Sequence, residues 1–233
     1  SSLDTIRQEI FLAAQRGFVG YAPAFEPCFG VDYHGLSIPY PTDKLPYELT
    51  SYAFREFCWD PAQTLAQFRA RMRNRYCGPS GSLQLVEDLI FLRAFAIRGT
   101  WNQNTSNMLT RMAGEMVGYD GKPLANTTVA GALKAAKAYN EADRKITYAR
   151  LTRELQALRM VLARDLPLLV QVENRCREFA AIGSPREMKT ARMCLEFIDH
   201  THRLLRKSGF TTVKQVDEAL AGIATRSTQA PCR

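Results

Sequence analysis

Gly17-Phe18-Val19-Gly20-Tyr21-Ala22 decides how this chain is read. Phe18 to Ala22 is short and apolar, the pattern of a buried strand, and Gly20 permits close backbone approach. Upstream, Leu3, Ile6, Ile10 and Ala13/Ala14 recur at helical steps, which predicts a helix over 3–16 stopped by Gly17. Downstream, Pro23, Pro27, Gly30, Gly35, Pro39 and Pro41 forbid regular structure over 23–45. A loop of that length is functional or disordered, and Phe25, Phe29, Tyr33 and Tyr40 argue against disorder. One strand cannot pair its own backbone groups. A helix, a strand, a long loop and a helix ahead of a helical body match the last unit of a (β/α)8 barrel, where loops after the strands build the active site. The expected fold class is mainly α: the last helix–strand–helix unit of a (β/α)8 barrel over 1–78, a helical bundle domain over 79–223 and a disordered tail over 224–233.

Working outward, Pro46 suits the first turn of a helix that runs to Trp59, where Asp60-Pro61 breaks it. Thr64 and Gln67 form a capping-box pattern ahead of the stripe Leu65, Phe68, Met72, Tyr76, and Gly78 ends that helix. Ser82 opens another to Arg98, and a shorter one lies near 106–117. After a turn-rich linker over 119–127 comes a long tract striped from Leu151 to Phe179, with Pro167 off the stripe and expected to kink it. Ser184-Pro-Arg-Glu187 is a second capping box, followed by Met188, Ala191, Leu195, Ile198, His202 and Leu205 on one face. Thr211/Thr212 cap a last helix to Ile223. The body thus holds five or six helices after the one that ends at Trp59, with the 151–179 and 188–205 stripes facing each other as an antiparallel pair.

Charge is uneven along the chain. Residues 1–60 carry four basic and eight acidic side chains, whereas 61–233 carry 27 and 15, so an acidic, aromatic-rich head precedes a basic body. The longest apolar runs, such as Ala94–Ile97, are too short to span a membrane. The start Ser-Ser, without Met, suggests a processed chain or a piece of a longer one. Six cysteines without a C-x-x-C pair predict free, mostly buried thiols. No phosphate loop, serine elbow or zinc motif is present, so no cofactor is expected.

Gly17-Phe-Val-Gly-Tyr21, Glu26, the run Leu45 to Trp59-Asp60-Pro61, and Phe68 to Arg75-Tyr-Cys-Gly78 together resemble the barrel exit of bacterial glycoside hydrolases of the hexosaminidase-like and α-glucuronidase-like type. The resemblance covers about residues 1–80. It implies a carbohydrate substrate bound by the intact parent chain, with upstream N-terminal barrel segments as partners of residues 1–78. Such enzymes need two carboxylates flanking the glycosidic bond. In that family they lie on earlier strands, so this chain alone is expected to be inactive and its catalytic residues are unassigned.

Within the loop, Glu26 is the sharpest substrate-binding candidate, as a carboxylate able to accept sugar hydroxyl hydrogen bonds or to act as an acid. The bland alternative is a solvated loop acid. Tyr21, Phe25, Phe29 and Tyr33 offer flat faces for sugar rings, or pack the loop. His34, beside Asp32 and Tyr33, is a proton carrier or a simple loop histidine. His200 and His202 are two apart and cannot form an i, i+4 metal pair. Arg69, Arg71, Arg73 and Arg75 advance in steps of two, which spreads them around a helix instead of clustering them on one face. The rival function is a basic all-helical module that binds an anionic partner such as nucleic acid, motivated by the charge of 61–233.

Overall fold

The computed structural model describes residues 2–18, 45–46, 48–98, 104–118 and 122–228. Its elements are α1 (Leu3–Gln15), α2 (Glu48–Trp59), α3 (Leu65–Tyr76), α4 (Leu83–Ala96), α5 (Thr105–Met112), α6 (Val129–Ala135), α7 (Glu141–Met160), α8 (Leu166–Ile182), α9 (Pro185–Ser208) and α10 (Val213–Thr228). The protein is mainly α, as its sequence implied. Among the described residues the sole extended pairing is an isolated bridge between Val117 and Pro123. From Val19 onward the strand expected over 18–22 lies outside the described residues. Phe18 itself is exposed and is not the buried strand residue expected. Its N–H returns to the Ala13 carbonyl at 3.1 Å, and the Gly17 N–H reaches Ala14 at 3.0 Å. With Gly17 at φ 79°, these two bonds close the end of α1, a conformation a side chain there would strain.

The described residues form two compact units. The first holds 2–18, 45–46, 48–98 and 170–198; the second holds 104–118, 122–169 and 199–228. In the first, α1 and α2 lie side by side, as do α2 and α4 and α3 and α4. Leu3, Ile6 and Ile10 of α1 and Leu49, Ala53 and Phe57 of α2 are buried, and the Phe57 ring meets Phe68 of α3 at 5.1 Å between centroids. α4 is the core helix: Leu85, Val86, Leu89, Leu92, Phe95 and Ala96 are all buried. Asp88, also buried on α4, is clamped by Arg175 of α8 through Nη2–Oδ1 at 2.6 Å and Nε–Oδ2 at 3.0 Å. This bidentate geometry is what makes a buried carboxylate tolerable.

The hairpin between α8 and α9 turns at Gly183, where a Cβ would stand 2.6 Å from the Phe179 carbonyl oxygen. Past the turn, the buried Cys194 thiol of α9 hydrogen-bonds Cys176 of α8; that bond and burial hold it well above the ordinary thiol range. Within this unit α8 and α9 therefore touch through Cys176, which is on the expected α8 stripe, and Cys194, which is beside the expected α9 stripe and not on it. The face of α9 is rotated from expectation, however. Thr190/Ala191, Cys194, Phe197/Ile198, Thr201 and Leu204/Leu205 are buried, while Leu195 and His202 are half-buried.

In the second unit, α7 is the spine, with α5, α6 and α10 against it. The tract read as one kinked helix divides in two places. Asn140 caps α7, accepting the Asp143 N–H at 2.9 Å. At the other end a π turn, Val161–Asp165, joins α7 to α8, with the Leu166 N–H donating to Val161. Pro167 has no N–H, and in a regular helix its ring would strike the Ala163 carbonyl; the wider turn just ahead of it relieves that conflict. Buried Arg111 of α5 pairs with buried Glu154 of α7. Glu115, beyond α5, takes Arg203 and, at 2.6 Å, Lys207 from α9. α5 stops at Met112, short of the expected 117, because Gly114 turns the chain at φ 71°. α10 continues past the expected Ile223 to Thr228, so 224–228 are helical and not tail. The Thr225 and Ser227 hydroxyls donate back to the Ala221 and Ile223 carbonyls, both at 3.0 Å.

Candidate functional site

The residues singled out for sugar binding, Tyr21, Phe25, Glu26, Tyr33 and His34, all lie outside the described residues, as do Phe29 and the rest of 19–44. The described frame is the pair of helices on either side. α1 ends at its Gly17 cap, and α2 begins at Glu48 with the Leu49 N–H on the Pro46 carbonyl at 3.3 Å. α2 ends where its sequence required: the Asp60 N–H bonds Glu56, and the Gln63 N–H bonds back to Asp60, each at 3.0 Å. Trp59 stands 87% exposed at that corner. Thr64 and Gln67 make the full reciprocal capping box at the start of α3.

The α3 arginines are not a free cationic face. Arg71 reaches Glu56 at 2.7 Å and Arg69 reaches Glu87 at 2.7 Å. Arg75 lies 3.7 Å above the Tyr52 ring and 3.6 Å from Glu48. Burial works against the charge on Glu56, yet hydrogen bonds from Arg55 and Arg71 hold its carboxyl below the ordinary range. Pairs this exposed contribute little stability each, but they place acids beside three of the four α3 arginines.

Two buried polar groups in the same unit were not legible in the sequence. Gln63 is 1% exposed, and both ends of its amide lack a hydrogen-bond partner. Arg93 is 2% exposed; its Nε donates to Thr50 Oγ1 at 2.8 Å, and no ion pair to it is found among the described residues. Burial alone pulls its pKa down to about 10. An arginine on an otherwise apolar helix reads as a surface residue from sequence; only the packing of α2 on α4 encloses it.

A third feature lies in the second unit. The first two thirds of α7 and the end of α10 border a groove of about 620 Å³ lined by Glu141, Arg144, Lys145, Tyr148, Ala149, Thr152, Arg153, Arg226 and Ser227. Lys145 engages Glu141, the sole lining acid, at 2.7 Å. Arg153 and Arg226 make no ion pair among the described residues. Arg144 donates through Nη2 to the Tyr139 carbonyl at 3.1 Å, while its Nε is buried without an acceptor. A groove of this kind is suited to oxyanions. The excess charge of 61–233 is visible in the sequence but the groove is not, because its walls come from segments far apart in the chain. Compared with protein-family models, curated proteins and solved structures, the chain matches none.

Proposed function

We propose that this chain is the barrel exit and helical C-terminal portion of a carbohydrate-active glycoside hydrolase. The observation that carries the reading is the relation of α1 to α2. These helices bracket residues 19–44 and lie side by side, as helices on either side of one barrel strand do. The motif order supports it: α2 ends at Trp59-Asp60-Pro61, and α3 ends at Tyr76-Cys77-Gly78 with Gly78 at φ 92°. In this reading residues 19–22 belong to the last barrel strand, Glu26 and His34 bind sugar hydroxyls, and Tyr21, Phe25 and Tyr33 supply ring faces. The catalytic carboxylate pair belongs to upstream barrel strands, so the chain by itself performs no hydrolysis. The test is an assay of the intact gene product and of this chain alone against aryl hexosaminides and aryl hexuronides. Turnover is expected from the intact product only. Turnover by the isolated chain, or an upstream sequence without β/α units, overturns the reading.

The rival reading, a helical module that binds an anionic partner, is favoured by one observation, the groove between α7 and α10. Its chemistry does not depend on a barrel.

A further inference from the structure

We infer that the groove between α7 and α10 binds a short segment of an acidic glycan, through carboxylate or sulfate groups on its sugars. The cations are ordered along the groove. Arg144 and Arg153 are nine residues apart on α7, roughly 13 Å along the helix axis. Tyr148 lies between them in sequence, and Arg226 closes the wall from α10. Charge is concentrated in this unit: its described residues hold 15 basic and 8 acidic side chains, against 14 and 11 in the other.

Three properties select the ligand. First, the arginines need acceptors. The buried Nε of Arg144 has no partner among the described residues, and an unmade hydrogen bond from a buried charged group is costly. A planar guanidinium takes carboxylate and sulfate oxygens in pairs. Second, the groove pairs a single aromatic face, Tyr148, with the hydroxyls of Thr152 and Ser227. That combination suits a sugar ring with its own hydroxyls. A single-stranded nucleic acid would instead ask for a longer basic track and several stacking platforms. Third, the volume of about 620 Å³ suits a few sugar rings and lies within the usual range of small-ligand sites.

Carbohydrate as the ligand class is shared with the proposed function. The groove lies wholly within the second unit, and binding is read without turnover. The two ideas therefore fail separately: loss of hydrolysis in the intact product leaves this test intact.

The experiment is fluorescence anisotropy on the full chain with labelled tetrasaccharides: an oligogalacturonate for the carboxylate source, a heparin-derived one for the sulfate source, and a neutral chito-oligosaccharide. A single-stranded oligonucleotide of matched charge is the fourth probe. The expected result is binding of one or both acidic glycans at least tenfold tighter than the neutral glycan and the oligonucleotide. The double variant Arg144→Gln/Arg153→Gln should weaken the acidic glycan at least tenfold, with its helical circular dichroism unchanged. Lys134→Gln/Lys137→Gln, which removes two exposed cations outside the groove, should change affinity less than twofold. Equal weakening by the two double variants overturns the proposal, because binding is then a matter of net charge. Tighter binding of the oligonucleotide overturns it in favour of a nucleic-acid partner, and equal binding of the neutral glycan overturns the anionic component. Should Arg144→Gln/Arg153→Gln fail to fold, Arg226→Gln alone replaces it, with a loss of at least threefold expected and no loss counting against the site.

Discussion

Among the described residues, Arg93 and Gln63 sit at the core of the first unit without the partners such groups usually have. Taking a cation out of water costs several kcal/mol unless a carboxylate compensates, and Arg93 has only the Thr50 hydroxyl among the described residues. Replacing such a group by an apolar one of similar volume removes the penalty together with the charge. Arg93→Met and Gln63→Met should each leave unfolding free energy within about 1 kcal/mol of wild type, or raise it. Urea denaturation of the two variants checks this; a loss above about 3 kcal/mol for Arg93→Met would reveal a buried ion pair. Glu187 is the opposite case. It accepts the Ser82 N–H at 2.8 Å and the Ser184 N–H at 2.9 Å, capping α4 and α9 with one side chain. Burial raises its pKa somewhat, but the bonds from Ser184 and Ser82 prevail and set it below the ordinary 4.5. A depressed carboxyl pKa contributes stability that is present above 4.5 and lost as pH falls through the folded value. Glu187→Ala should therefore cost about 1–2 kcal/mol at neutral pH, with the difference from wild type shrinking on acidification below 4.5. Thermal melts across that range provide the check, and a pH-independent difference contradicts the charge-based account.

At the scale of elements, boundaries written in local chemistry were legible. The Thr64–Gln67 and Ser184–Glu187 boxes and the Gly17 stop involve residues within five positions of one another, so sequence alone specifies them. What depends on distant neighbours was not. In α9 two adjacent faces both carry apolar residues at helical spacing, so the stripe through Leu195 read as well as the one through Cys194. The choice is made by Tyr76, whose carbonyl takes the Thr190 hydroxyl at 2.7 Å, and by Cys176 of α8. Phe197→Ala should accordingly cost about 3–5 kcal/mol, whereas Leu195→Ala, at a half-buried site, should cost about 1 kcal/mol. Denaturant titration of both separates the faces, and a larger loss at Leu195 contradicts the observed rotation. The π turn before Pro167 belongs with the missed features. Sequence announced a conflict at Pro167, but either a kink or a widened turn resolves it.

Across the whole molecule, composition gave the class and the charge gradient but not where the charge acts. Within the excess of 61–233, three of the four α3 arginines meet acids, whereas Arg153 and Arg226 of the α7–α10 groove meet none among the described residues, a difference set by which acids lie within reach. The residues expected to bind sugar lie outside the described residues, and of their surroundings the structure describes the helices on either side, α1 and α2. The proposal at this scale is that residues 21–34 form one wall of a sugar site in the intact protein, and steady-state kinetics of Glu26→Gln in the intact gene product is its sharpest test. The exchange keeps shape and removes charge on a loop, where substitutions move stability by only about half a kcal/mol. The account predicts an altered constant: a raised KM with kcat intact if Glu26 binds substrate uniformly, or a lowered kcat if it acts in the transition state. Wild-type values of both constants would contradict it.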